Sequence, residues 1–199
     1  MRVAAVILAA GRSTRMGDNK MLADLGGEPL IRRTVAALLG SRASPVLLVA
    51  GHERDRLAAA LAGLDVGVIV NPRYPEGLAT SLVAGIGAVP EQAEGALIAL
   101  GDMPLVDAGI VDALIARFEA EPAAGAVVPL HAGKWGNPVL VARKLFPKVA
   151  ALSGDAGARK LLRGRDDVSL LETSERSVLI DADTPQALAE LRERFARRA

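Results

Sequence analysis

The sequence predicts a three-layer α/β fold, a doubly wound and mostly parallel sheet with helices on both faces. Three observations carry the prediction. Residues 3–9 and 95–100 are apolar runs of strand length without polar alternation, the pattern of strands buried on both faces of a parallel sheet. Further strand-sized runs stand at 46–50 and 66–70, and segments with helical spacing of apolar residues separate them, so strand and helix alternate. The first run then breaks at Gly11 into a glycine-punctuated loop, and ligands of such sheets bind at the carboxyl ends of strands.

With 199 residues the chain is expected to fold as one domain, 1–199, large enough for a three-layer core. No internal repeat, low-complexity linker or composition break divides it. Hydrophobic residues make up 51 %, yet no run approaches the roughly 18 residues of a membrane span, so a soluble protein is expected. The balance of 24 Lys and Arg against 23 Asp and Glu argues against a nucleic-acid partner. Absence of cysteine excludes disulfides, thiolate metal sites and cysteine nucleophiles, and is compatible with a cytoplasmic location. His52 and His131 are the only histidines, so a metal would sit on oxygen ligands. A secretory signal is not expected, because the apolar run after Arg2 turns at once into Gly-Arg-Ser-Thr-Arg.

The loop after the first strand holds Gly11, Gly17, Arg12, Arg15 and Lys20. Glycine permits close backbone approach and the cations supply charge, which suits a polyphosphate better than a solvated turn. Its spacing is not that of a P-loop, since five residues separate Gly11 from Gly17 and Asp18 follows. Nor is it the dinucleotide fingerprint, because no second glycine stands two residues after Gly11.

The remaining elements follow in order. Residues 28–39 open a helix with Pro29 in its first turn and Leu30, Ile31, Val35, Leu38 and Leu39 on one face, ending near Gly40. A helix over 54–64 lies between the second and third strands. Residues 71–82 form a proline-bearing loop running into a helix of small residues, with Thr80 or Ser81 in the first turn. Strand 95–100 delivers Gly101-Asp102-Met103-Pro104. A carboxylate at the end of a buried strand is costly unless a cation or donors meet it, so Asp102 is either a metal ligand or a helix cap. Asp107 is better placed to cap the amphipathic helix over 107–121. Strands at 126–129 and 139–142 flank a loop with Lys134 and Trp135, where the indole is a platform for a ring or a hydrophobic plug. Residues 152–162 read as a turn and a helix, with Asp155 as its cap and Arg159 one turn on. A last short strand at 178–180 precedes Asp181-Ala-Asp-Thr-Pro185 and a helix over 186–196, which Thr184 or Asp183 starts together with Pro185, so that one of the two acids needs no further role.

The stretch Leu8-Ala9-Ala10-Gly11-x-Ser13-x-Arg15-Met16-Gly17-x-x-Lys20 resembles the signature of the nucleotidyltransferases that act on the molybdenum cofactor. The resemblance covers nearly the whole chain and implies the Rossmann-like, glycosyltransferase A-like sheet of that family. It implies a Mg²⁺-dependent transfer in which Leu8, Ala9, Ala10, Gly11 and Lys20 bind the nucleotide and Arg15 and Lys20 hold its triphosphate. By the same resemblance Glu76, Gly77 and Ser81 contact base and ribose, Asp102 and Asp181 hold the metal, and Gly136, Asn137, Pro138 and Arg159 lie on the acceptor side. Asn137 departs from the family's usual histidine, which weakens acid–base work there. Ala10-Gly11 resembles the branch that uses CTP, where the guanylyl branch has Gly-Gly. The implied acceptor is molybdopterin, whose product would pass to a molybdenum hydroxylase. A guanylyltransferase, a sugar-phosphate nucleotidyltransferase and a non-catalytic chaperone for the cofactor are the alternatives.

Overall fold

The computed structural model describes residues 1–11 and 19–197. Among them, one sheet contains β1 (Val3–Leu8), β2 (Val46–Ala50), β3 (Gly67–Val70), β4 (Gly95–Leu100), β5 (Ala126–His131), β6 (Lys134–Trp135), β7 (Val139–Ala142) and β8 (Val168–Glu172). The order is β3-β2-β1-β4-β7-β5-β6, with β8 paired to β5. β3, β2, β1 and β4 run parallel, and so do β5 and β8. β7 is antiparallel to both β4 and β5, and β6 folds back on β5 as a hairpin.

The helices are α1 (Leu30–Leu39), α2 (Arg54–Ala60), α3 (Leu78–Gly87), α4 (Ala108–Ala120), α5 (Phe146–Ala150), α6 (Ala158–Leu162) and α7 (Pro185–Ala196). Successive residues of β1 divide between two apolar layers. Val3, Ala5 and Ile7 pack with Ile31 and Val35 of α1 and Leu114 of α4, while Ala4, Val6 and Leu8 pack with Leu82 of α3 and Val149 of α5. All six residues of β1 are buried, so it needs the two-sided hydrophobicity its sequence shows. Burying one such large aliphatic side chain is worth about 1.5–3 kcal/mol. α3 lies close against the sheet because of Gly85, where a Cβ would stand 2.3 Å from Val6 Cγ1 and 2.9 Å from Val49 Cγ2.

Caps agree with the local chemistry in two places. Asp107 accepts from Ile110 N at 3.0 Å, and Thr184 accepts from Ala187 N at 3.1 Å with Pro185 behind it. Elsewhere the structure corrects the sequence reading. Pro29 stands at the N-cap of α1 rather than in its first turn, and α2 stops at Ala60, four residues before the expected end. α6 is capped by Gly157, so Asp155 is not its cap. No strand forms at 178–180: Arg176–Leu179 is a 3₁₀ turn whose Val178 carbonyl accepts from Asn137 N at 2.8 Å. The strand in that region is β8, which sequence reading passed over. Its five residues present only one fully buried side chain, Ser169, so its place is decided by pairing to β5 and not by an apolar pattern.

Candidate active site

β1 and β4 are adjacent and parallel, so their carboxyl ends bring Ala9-Ala10-Gly11 beside Gly101-Asp102. Several contacts fix that corner. Gly101 N donates to Leu8 O at 3.0 Å, Thr34 Oγ1 of α1 donates to Gly101 O at 3.0 Å, and Ala182 N donates to Asp102 O at 3.0 Å. Gly101 also has no room for a side chain, since a Cβ would stand 2.9 Å from Ile31 Cδ1. The last of those hydrogen bonds couples the segment carrying Asp181 and Asp183 to Asp102.

Asp102 is buried, and its charge is met by Lys20, which opens the 3₁₀ turn Lys20–Leu22. Asn19 caps that turn by accepting from Met21 N at 3.1 Å. Lys20 Nζ donates to Asp102 Oδ2 at 2.5 Å and to Asp183 Oδ1. Burial pushes the Lys20 ammonium down, but Asp102 and Asp183 more than offset it and hold its pKa above the ordinary value. Asp181 shifts the other way for a carboxylate: burial and then the negative charges of Asp102 and Asp183 raise its pKa, against weaker help from the Asp183 backbone and Lys20. Asp183 is thus a site residue that sequence reading assigned only to the helix start. Its spacing from Asp181 was the available signal, but only the tertiary contact with Lys20, far away in the chain, gives it a role.

A cleft of 430 Å³ opens here, lined by Leu8, Ala10, Gly11, Lys20, Gly77, Ser81, Asp102, Asp155, Asp181 and Asp183 among others. It gathers the residues expected at the nucleotide, with two exceptions. Ala9 is buried in the core on the opposite face of β1, and Glu76 is exposed and paired with Arg73 at 2.7 Å, outside the lining. That exposed pair keeps the Glu76 carboxyl low through its hydrogen bonds to Arg73. Arg15 lies outside the described residues. Gly77 has φ +117°, and a Cβ there would come within 2.5 Å of the Gly154 backbone, whose carbonyl accepts from Ala79 N at 2.9 Å. Asn71 Nδ2 donates to Thr80 Oγ1 at 2.9 Å and Ser81 Oγ at 3.0 Å, tying the start of α3 to the end of β3. Tyr74 packs over Gly51, where a Cβ would stand 2.6 Å from the ring, and it also edges the cleft.

A second cleft of 1170 Å³ adjoins the first and shares Leu8, Leu78, Leu100 and Asp181 with it. Its floor is apolar, with Ile98, Val139 and Val178, and Trp135 lines it while also packing partly on the core. Its charge differs from the first cleft. His131, Lys134, Arg159, Arg163 and Arg176 face it, and Asp181 is the one acid among its lining residues. Arg159 Nη2 donates to Trp135 O at 2.9 Å, while its Nε is buried without a hydrogen-bond partner. Burial, then Arg163, lower its pKa, and Asp181 opposes them. Asn137 lines this cleft; Gly136 and Pro138 lie buried behind it, joined by a cis peptide bond between Asn137 and Pro138. A Cβ on Gly136 would stand 2.6 Å from Val178 Cβ, so glycine lets this strap lie against the 3₁₀ turn.

Among the described residues no group of three or more His, Cys, Asp or Glu is arranged as a complete metal cage. The residues that could hold a cation are Asp102 and Asp181, which line the same cleft and whose negative charges a cation would offset. That set fits a hard divalent ion such as Mg²⁺ or Mn²⁺, which takes one or two carboxylates and completes its shell with phosphate oxygens and water.

The sequence pattern of the MobA-like NTP transferase domain matches residues 5–170. The chain is 29 % identical over 191 residues to the molybdenum cofactor cytidylyltransferase of Escherichia coli K12, covering 96 % of this chain and 95 % of that one. It is also 29 % identical over 202 residues to a probable molybdenum cofactor guanylyltransferase of Natronomonas pharaonis, covering 96 % and 97 %. Among solved structures, the Rv0371c complex with manganese from Mycobacterium tuberculosis is similar with a TM-score of 0.80 at 28 % identity, over 97 % of this chain and 99 % of that one. The matched pattern starts within β1 and ends within β8, so it spans the sheet whose strand ends carry the carboxylate, the lysine and both clefts, and the chain belongs to the MobA-like NTP transferase family of nucleotidyltransferases.

Proposed function

We propose that the chain transfers CMP from CTP to the phosphate of molybdopterin, or of its molybdenum-loaded form, and releases pyrophosphate. The observation that carries the reading is Asp181: it lines both clefts, the smaller beside Lys20 and the larger with cationic side chains over an apolar floor. A nucleotide in the first and an anionic acceptor in the second would meet at that carboxylate.

The two substrates are both anions, so the work of the site is to hold them together in line. Lys20, with Arg15, supports the charge that develops on the departing pyrophosphate. Arg159 has a buried Nε with no internal partner, which suits an acceptor phosphate entering from the second cleft. Arg163, Arg176 and Lys134 raise the local concentration of an anionic acceptor. Trp135 and the apolar floor offer a face to a pterin ring. No general base is needed, because a phosphate monoester is already ionised at neutral pH, and this accords with Asn137 where the family commonly has histidine. When bound by Asp102 and Asp181, Mg²⁺ would neutralise phosphate charge and orient the reacting groups.

Ala10 favours CTP, since it is almost fully buried at the cleft wall and its methyl narrows the space for a base. The relatives include both cytidylyl and guanylyl enzymes at equal identity, so the base is the point to test. The assay is pyrophosphate release by purified protein with Mg²⁺ and molybdopterin, comparing CTP, GTP, ATP and UTP. Release with CTP alone is expected. Release with GTP instead makes the chain a guanylyltransferase; release only with a sugar phosphate as acceptor makes it a sugar nucleotidyltransferase; tight cofactor binding without release makes it a chaperone. A cytidylylated product would pass to a molybdenum hydroxylase in the cytoplasm.

A further inference from the structure

Lys20 occupies the position that a cation at Asp102 needs. Its ammonium donates to Asp102 Oδ2 at 2.5 Å, and its side chain is only 12 % exposed, so the charge is packed against the carboxylate and not merely near it. The same nitrogen donates to Asp183 Oδ1, and Asp183 is 50 % exposed. One ammonium therefore bridges a buried carboxylate that shares the cleft with Asp181 and a half-exposed one. A divalent ion and an ammonium on the same carboxylate repel each other strongly at such separations. Entry of the ion at Asp102 requires the ammonium to leave it, and the nearest anion it already touches is Asp183.

We propose that Lys20 is an internal competitor for the divalent cation at Asp102, and that Asp183 is the positioning residue that receives its ammonium when the cation enters. The device rests on the reading of Asp102 and Asp181 as cation ligands. It makes nucleotide binding follow cation binding: with the cation absent, Lys20 is held on carboxylates and is unavailable to a polyphosphate. With the cation present, Lys20 is drawn toward Asp183, in the cleft that Gly11 also lines. The masking of Asp102 also keeps two carboxylates of one cleft from being left without a counter-charge in the resting protein.

The test is Mn²⁺ binding to nucleotide-free protein, followed by the loss of the free-ion electron paramagnetic signal, for the wild type and for Lys20→Met, Asp183→Asn, the double variant and Asp102→Asn. Lys20→Met is expected to bind Mn²⁺ on the order of tenfold more tightly while losing affinity for CTP, because the competing charge is gone. Asp183→Asn is expected to weaken Mn²⁺ binding about threefold by confining the ammonium to Asp102, and to have no effect in the Lys20→Met background. Unchanged or weaker Mn²⁺ binding by Lys20→Met overturns the proposal, as does an Asp183→Asn effect that persists without Lys20, which would mean simple loss of negative charge. If Lys20→Met fails to fold, Asp183→Asn alone decides: tighter or equal Mn²⁺ binding overturns the proposal. Absence of Mn²⁺ binding by the wild type, or binding untouched by Asp102→Asn, removes the ligand reading and the competition with it, and is distinguishable from a wild type that binds while Lys20→Met does not tighten.

Discussion

Lys20 and Asp181 carry opposite kinds of electrostatic strain. Lys20 is stabilised by its partners, so its folded pKa is raised; the stability it contributes is complete below the ordinary lysine value and is lost only as pH rises through the folded one. Lys20→Ala removes a charge-stabilising donor, and a loss of about 3 kcal/mol in transition-state stabilisation, roughly a hundredfold in kcat/KM, is expected for it and for Arg15→Ala. Steady-state pyrophosphate release measures this, and unchanged turnover in both variants would remove the assignment. Asp181 is destabilised by burial and by two neighbouring carboxylates, so its folded pKa lies above its unfolded one. Below the unfolded value, near 3.8, both states hold the proton and no penalty exists; the penalty sets in as pH rises to the folded value and is constant above it. Asp181→Asn is therefore expected to raise the melting temperature of chelator-treated protein at pH 7, with the gain shrinking as pH falls toward 4. A lower melting temperature at pH 7 would show that the carboxylate is better compensated than its neighbours suggest. On the reading of Asp181 as a cation ligand, added Mg²⁺ should raise the melting temperature of the wild type and not of this variant.

At the scale of elements, the second cleft depends on a strap and a turn that meet at Gly136 and Asn137. Gly136 N donates to Pro129 O at 2.7 Å, Asn137 N donates to Val178 O at 2.8 Å, and no side chain fits between Gly136 and Val178. Gly136→Ala would push the 3₁₀ turn outward, and Asp181 two residues beyond it would move with it. We expect a stability loss of about 1–3 kcal/mol, the usual scale of overpacking, and a fall in pyrophosphate release larger than the unfolded fraction explains. Gly87→Ala, at the end of α3 with open space around its Cα, is the control: stability should hold or improve. Equal melting temperatures and turnover in both variants would mean that the strap yields freely.

At the scale of the molecule, strand order sets the function. β1 lies between β2 and β4, the chain reverses direction at β7, and the two clefts adjoin at Leu8 and Leu100, the ends of β1 and β4. Single-domain folding remains our reading of the chain, and it predicts one cooperative thermal transition with equal calorimetric and van't Hoff enthalpies; two separable transitions would refute it. Much of this was legible in sequence. The buried runs of β1 and β4, the caps Asp107 and Thr184, and the placement of Gly11, Lys20 and Asp102 follow from local rules: hydrophobic period, side-chain oxygen at a helix start, and a charge at the end of a buried strand. Those rules act over a few residues, which is why the sequence alone determined the alternation of elements and the glycine-punctuated, cationic character of the first loop. Tertiary structure alone decided the rest. It put β8 beside β5 despite a weak apolar pattern, made residues 176–179 a turn through a hydrogen bond to Asn137, and joined Asp183 to Lys20 across most of the chain. Each of these is a pairing between segments distant in sequence, and its free energy exists only once the sheet has brought the partners together.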